Sequence, residues 1–273
     1  MFEDISKVLL ITDMDGTFLP SSKIPSPKSV AAIRRFQQQG GKFSIATGRA
    51  IQAANQYFDS FSVNCPIIMC NGGMVYDLNG KRQIYDVFVP DSTRDIVKQL
   101  LKDNPDVGCE VLTLDNVYVP QMTPMEAQHN VICKVDPVIC AVDDIPDNWY
   151  KVLFAIEPEK MDRLMGYVEA KGWSGVDFVR SSKEYYEILP LNISKGTALE
   201  KMRDICGMED YTFVAMGDYN NDIEMLRAAD FAICPSNAVD DVKEVCDLVL
   251  DFSCEEDAVA HAVEYIYSRL NRE

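Results

Sequence analysis

The chain predicts an α/β fold: a doubly wound parallel sheet interrupted by an inserted α+β module. Two observations carry that reading. Short apolar runs alternate with helix-period segments over the first eighty or so residues and again after Pro190. Between them the pattern changes to a helix followed by a pair of short strands, twice over. At 273 residues the chain exceeds the usual single domain and has room for both parts.

Taken in order, Val8-Leu9-Leu10-Ile11 is a buried strand. Ser26-Pro27 is an N-cap followed by proline at the first helical position. Val30, Ile33 and Phe36 then share one face until Gly40-Gly41 ends the helix. A strand over 43–46 and a helix carrying Ile51, Ala54 and Phe58 follow. The run Pro66–Cys70 is the third strand and stops at Asn71-Gly72-Gly73.

The module opens with a strand over Tyr85–Val89 and a helix near Ser92–Lys102. Glu110–Leu114 and Val117–Val119 form a hairpin turning at Asp115-Asn116. A second set comprises the strand Tyr150–Ile156, a helix with Met161, Leu164, Met165 and Val168 on one face up to Gly172, and strands at Val176–Val179 and Tyr185–Leu189. Two β-α-β-β units therefore make the module, with Val131–Asn148 left unassigned. The core rhythm returns with a helix after Lys195 that ends at Gly207, the strand Thr212–Met216 and a helix holding Ile223 and Leu226. Phe231–Cys234 and Leu248–Leu250 are short strands, and the last helix lines up Val259, Val263, Ile266 and Leu270. Residues 1–84 and 190–273 thus form the core and 85–189 the insert.

Composition narrows the function. With 26 Lys+Arg against 43 Asp+Glu the net charge is −17, a surface that repels nucleic-acid phosphates. Any phosphate site needs a local cation or a metal. The nine cysteines are odd in number, scattered and never in C-x-x-C, which fits free thiols in a reducing cytosol. No basic signal region opens the sequence and no apolar run reaches membrane-spanning length, so a cytoplasmic protein without membrane partners is expected. A monomer or weak homodimer is the expected state.

Asp13-Met14-Asp15-Gly16-Thr17 follows the first strand directly. A parallel strand delivers such carboxylates to its C-terminal edge, where ligands bind in open α/β sheets. Gly217-Asp218-Tyr219-Asn220-Asn221-Asp222 repeats that logic after Thr212–Met216. If the two strand ends adjoin, Asp13, Asp15 and Asp218 converge, and close carboxylates need a counterion. An all-oxygen cluster suits a hard cation such as Mg²⁺. The plainer readings are a surface turn for the first segment and an ordinary helix start for the second. Thr47-Gly48-Arg49 places a hydroxyl and backbone N–H groups at a helix start, a phosphate cradle or simply a Thr cap. Ser194-Lys195-Gly196 puts a cation where the helix dipole disfavours one, which points to an anion nearby.

In this order and spacing, Asp13–Thr17, Thr47-Gly48-Arg49, Asn71-Gly72, Lys195-Gly196 and Gly217–Asp222 resemble the haloacid dehalogenase superfamily of phosphatases. The similarity is to its Cof-type subgroup (subclass IIB, C2-type cap) and covers nearly the whole chain. The resemblance implies a Rossmann-like core with an inserted cap domain, and a Mg²⁺-dependent phosphomonoester hydrolase acting through an aspartyl-phosphate on small cytosolic phosphates, sugar phosphates first. It implies Asp13 as nucleophile and Asp15 as acid and then base. Asp13, the Asp15 carbonyl and Asp218 would hold the metal, with Asp222 in support. Thr47, Gly48, Lys195 and Asn221 would hold the phosphoryl group. Relatives often carry Gly-Val-Asn/Ser-Lys where this chain has Asn192-Ile193-Ser194-Lys195. Asn tolerates left-handed backbone, so the bend is expected to survive.

In the insert, Arg180, Ser181, Ser182 and Glu187 are the candidates for meeting a leaving group, against the plain reading of surface residues. His129 and His261 fall outside every motif. A phosphomutase using the same aspartyl-phosphate is the alternative within the family, and a non-catalytic metal-dependent phosphate-binding protein is the alternative outside it.

Overall fold

A computed structural model describes residues 2–270; Met1 and residues 271–273 lie outside the described residues. The strands are β1 Val8–Thr12, β2 Lys42–Ile45, β3 Ile67–Met69, β4 Met74–Asp77, β5 Arg82–Asp86, β6 Gly108–Leu112, β7 Val117–Gln121, β8 Val138–Ile139, β9 Lys151–Ala155, β10 Val176–Arg180, β11 Tyr185–Pro190, β12 Thr212–Met216, β13 Phe231–Cys234 and β14 Leu248–Val249. The α-helices are α1 Pro27–Gln38, α2 Ile51–Ala54, α3 Thr93–Asp103, α4 Pro124–Cys133, α5 Met161–Lys171, α6 Lys195–Ile205, α7 Ile223–Ala228, α8 Asp240–Lys243 and α9 Ala258–Arg269. No helix among these residues is long and apolar enough to cross a membrane.

The chain divides into two compact units. The first takes the residues up to Gly48, Asn55–Tyr85 and the chain from Ser194 onward; the second takes Arg49–Ala54 and Asp86–Ile193.

The first unit is built on a five-stranded parallel sheet in the order β14-β13-β12-β1-β2. Every residue of β1 is buried, as an apolar run covered on both faces must be. Leu9 and Ile11 join Phe213 and Ala215 in one cluster with Leu199, Met202, Met225 and Leu226 of α6 and α7. α1 and α9 pack on each other and bury Ile33, Phe36, Val259, Val263 and Ile266. The Ser26 hydroxyl caps α1 by accepting from the Ser29 N–H at 3.2 Å, a contact of a kind contributing about 1 kcal/mol.

Three expectations change here. The helix expected through Phe58 is one α-turn, Ile51–Ala54, followed by a 3₁₀ turn over Asn55–Tyr57. The third apolar run pairs with the parallel sheet through the bridge Ala46↔Ile68 and leads a separate three-stranded sheet, β3-β4-β5. The strand expected at Tyr85–Val89 is Arg82–Asp86, and it belongs to that small sheet.

The second unit is a six-stranded sheet in the order β10-β11-β9-β6-β7-β8, antiparallel except for β7–β8. Side chains alternate across it. One face, with Cys109, Val111, Val152, Phe154, Tyr186 and Ile188, packs on α3 and α5 through Val97, Leu100, Leu164 and Val168. The alternate residues Glu110, Lys151 and Glu187 occupy the other face, and α4 packs against β6 and β9. The unassigned stretch 131–148 holds the end of α4, the two-residue β8 and a 3₁₀ turn at Val142–Asp144. Asn192, expected to keep the bend before Lys195, has φ +59 and does hold left-handed backbone.

Candidate active site

Parallel pairing of β1 and β12 sets Thr12 opposite Met216, so the two acidic loops leave the sheet side by side. The Asp13 N–H donates to the Met216 carbonyl at 2.8 Å, extending the ladder by one residue. Carboxylate oxygens of Asp13, Asp218 and Asp222 all lie within 4.8 Å of one another. Asp13 and Asp222 are buried and Asp218 is half-buried.

The loops are locked by contacts their sequence requires. Thr17 Oγ1 donates to Asp218 Oδ1 at 2.6 Å, tying the first loop to the second. Gly16 has φ +92, and a Cβ there would fall 2.5 Å from Asp218 Oδ2, so only glycine fits. Asp222 Oδ2 accepts from the N–H groups of Asp218 at 2.9 Å and Tyr219 at 3.1 Å, which folds the second loop back on itself.

Lys195 is the first residue of α6, whose N-cap is Ser194; the Ser194 hydroxyl accepts from the Thr197 N–H at 3.1 Å. Its ammonium is fully buried, 2.5 Å from Asp13 Oδ1 and 2.6 Å from Asp222 Oδ1. The approach depends on Gly72, whose φ of +104 and missing Cβ admit the Ser194 carbonyl; a Cβ would sit 2.1 Å from it. Thr47 is buried at the end of β2, its N–H donating to the Ile68 carbonyl at 2.9 Å and its carbonyl accepting from the Asn71 N–H at 3.1 Å. Asn221 Nδ2 donates to Asn71 Oδ1 at 3.2 Å, and Gly48 lies against the same amide.

Three carboxylates against one ammonium leave a surplus of negative charge. Burial pushes the Asp13 carboxyl well above its usual range; Lys195 opposes this, and Asp222, Asp218 and Asp15 add to it. Burial likewise carries Asp218 up to about 6, with the Thr17 hydrogen bond pulling the other way and Asp222 reinforcing the rise. Burial acts to neutralise Lys195, but Asp13 and Asp222 outweigh it and hold the side chain as an ammonium. A buried, all-oxygen cluster short of positive charge fits a bound metal ion, and a hard divalent cation is the match for such donors.

The Asp15 side chain takes a different position from the other three acids. Lys23 Nζ is 2.7 Å from Asp15 Oδ1, and both side chains are about a third exposed, at 38% and 34%. Neither Lys23 nor the Thr17–Asp218 bond was anticipated from the sequence. Thr17 lay inside a motif already singled out, whereas Lys23 carries no spacing signal.

The candidate residues of the second unit fare differently. Arg180 is exposed, its Nε donating to the Ser182 carbonyl at 3.0 Å. Ser182 Oγ accepts from the N–H groups of Glu184 and Tyr185, which makes it a turn residue. Glu187 is buried and accepts from Lys151 Nζ and from Ser181 Oγ, each at 2.8 Å. His129, placed in no motif, is buried on α4, with Nε2 3.3 Å from Glu110 Oε1.

Residues 10–263 match the haloacid dehalogenase-like hydrolase family. A curated relative, the 5-amino-6-(5-phospho-D-ribitylamino)uracil phosphatase YwtE of Bacillus subtilis (strain 168), is 28% identical over 94% of this chain and 96% of its own length. Among solved structures, a haloacid dehalogenase-like hydrolase from Bacteroides thetaiotaomicron superposes with a TM-score of 0.84 at 22% identity, covering 95% of this chain and 99% of that one. The subclass IIB sugar phosphatase BT4131 has a TM-score of 0.77 at 19% identity, covering 95% and 99%. With a match spanning nearly its whole length, the chain belongs to the haloacid dehalogenase-like hydrolases.

Proposed function

We propose that the protein is a Mg²⁺-dependent phosphatase that hydrolyses small cytosolic phosphomonoesters through an aspartyl-phosphate on Asp13. One observation carries this reading: β1 and β12 run side by side and bring Asp13, Asp218 and Asp222 together around the Lys195 ammonium. Relatives named as phosphatases support the reaction class. The ribityl phosphate in YwtE's name supports a sugar-like leaving group. Residues 1–84 and 190–273 would act as the catalytic core and 85–189 as the cap that selects substrate.

In the first step an Asp13 carboxylate oxygen forms a bond to phosphorus while the bond from phosphorus to the ester oxygen breaks. Asp15 gives that oxygen its proton, and the alcohol leaves. In the second step Asp15 takes a proton from water as the water oxygen attacks phosphorus. Phosphate departs and the Asp13 carboxylate is restored. Lys195, already bound to Asp13, would hold a phosphoryl oxygen, as would Thr47, Gly48 and Asn221. The residues suited to hold Mg²⁺ are Asp13, the Asp15 carbonyl and Asp218, with Asp222 orienting the loop. When bound, the ion offsets repulsion between the anionic nucleophile and the phosphate dianion.

The direct test is Asp13→Asn assayed on p-nitrophenyl phosphate, with mass spectrometry of the acid-quenched enzyme. Wild type is expected to gain one phosphoryl group on the peptide bearing Asp13. The variant should lose at least about 10⁴-fold in kcat. Turnover retained by the variant would remove Asp13 as nucleophile.

A further inference from the structure

Lys23 is held in place by more than its own ion pair. It sits in the turn between the first acidic loop and α1, in left-handed backbone at φ +56. Such backbone is uncommon for a residue with a long side chain and needs outside support. The support is visible at both ends of the turn. The Lys23 N–H donates to the Pro20 carbonyl at 2.9 Å, the Ser21 N–H donates to Glu255 Oε1 at 2.7 Å, and the Ser26 hydroxyl bonds Asp257. The result is an ammonium 2.7 Å from Asp15 Oδ1, in a protein whose net charge is −17. An ion pair this exposed contributes little to stability, so its partner is readily exchanged.

We infer that Lys23 reads the leaving group, selecting phosphomonoesters that carry a second anion within two carbons of the ester oxygen. This rests on the proposed role of Asp15. If Asp15 transfers the proton to the ester oxygen, that oxygen comes within hydrogen-bond reach of its carboxyl. The ammonium bound to the same carboxyl then lies about 5–7 Å from the ester oxygen, two hydrogen bonds and at most the width of the carboxyl away. A carboxylate or a second phosphoryl group on the neighbouring carbon reaches it; a hydroxyl there offers no charge. Among small sugar-like phosphomonoesters, Lys23 thereby favours those of sugar acids and sugar bisphosphates, whose chemistry shorter hydroxy acids and bisphosphates share.

The test compares leaving groups of equal length. kcat/KM is measured for 2-phosphoglycolate, for ethane-1,2-diyl bisphosphate and for the neutral 2-hydroxyethyl phosphate, with wild type, Lys23→Met, Lys23→Arg and Lys23→Glu. Wild type is expected to favour at least one anionic substrate over the neutral one by about tenfold, and which one identifies the anion. Lys23→Met should bring that ratio to about one, Lys23→Arg should keep it, and Lys23→Glu should invert it. A wild-type ratio of one for both anions overturns the inference without any variant, as does a ratio unaltered in Lys23→Met. Failure to hydrolyse all three esters and p-nitrophenyl phosphate alike would instead refute the phosphatase reading itself.

Discussion

The two units both bury charge, and they balance it differently. In the first, Lys195 is shared by Asp13 and Asp222 with Asp218 beside them, so acids outnumber bases. In the second, Lys151 pairs with Glu187 and His129 with Glu110, one base to one acid, and burial holds the third acid, Glu126, towards its neutral form. Matched pairs of this kind are what a stable interior tolerates. An unmatched cluster at a sheet edge is what a cation-binding site requires. Burial alone therefore does not mark function in this chain; the surplus does.

Breaking each cluster should give the largest effects. Lys195→Met and Lys151→Met each strand a buried carboxylate, and each should cost about 3–5 kcal/mol by chemical denaturation. Their rescues should differ. Millimolar Mg²⁺ should raise the melting temperature of Lys195→Met more than that of wild type, whereas only a second change, Glu187→Gln, should restore Lys151→Met. Rescue of both by the metal would erase the distinction.

A smaller contrast lies in the glycines. Gly16→Ala drives a methyl onto Asp218 in backbone that alanine resists, and it should lose activity together with stability. Gly166→Ala lies on an exposed stretch of α5 with nothing within 4 Å and should stabilise by about 0.5–1 kcal/mol, read as an increase in melting temperature.

The pH dependence of the second unit is the subtlest expectation. Burial first, and then Glu110, lifts the Glu126 carboxyl from its usual 4.5 to about 8. The folded state therefore holds a proton that the unfolded chain releases, so stability falls as pH rises from 4.5 through 8. His129 lies at about 12, where Cys133 and Glu110 outweigh the effect of burial, and its contribution also declines as pH rises above 6.5. Between pH 6 and 9, melting of wild type should fall more steeply than that of Glu126→Gln; parallel slopes would count against the buried proton.

Much of the first unit could be read from residue order because its central strands are short, mostly apolar and run directly into acidic loops. β1 runs into Asp13, β12 into Asp218, and the Ser26-Pro27 cap marks α1. α4 could not be read that way, since Glu126, His129 and Asn130 supply buried positions that apolar periodicity does not register. The sheet β3-β4-β5 was missed because its middle strand follows directly on the Asn71-Gly72-Gly73 turn, where a stop rather than a new strand was expected. Lys23 escaped notice for another reason. Its place depends on a turn pinned by Glu255 and Asp257, more than two hundred residues away in sequence.

The most direct measurement is a crystal structure with Mn²⁺ as an anomalous marker. One strong peak is expected, bonded to carboxylate oxygens of Asp13 and Asp218 at about 2.1–2.3 Å. Mn²⁺ bound elsewhere, with those two carboxylates left uncoordinated at millimolar metal, would contradict it.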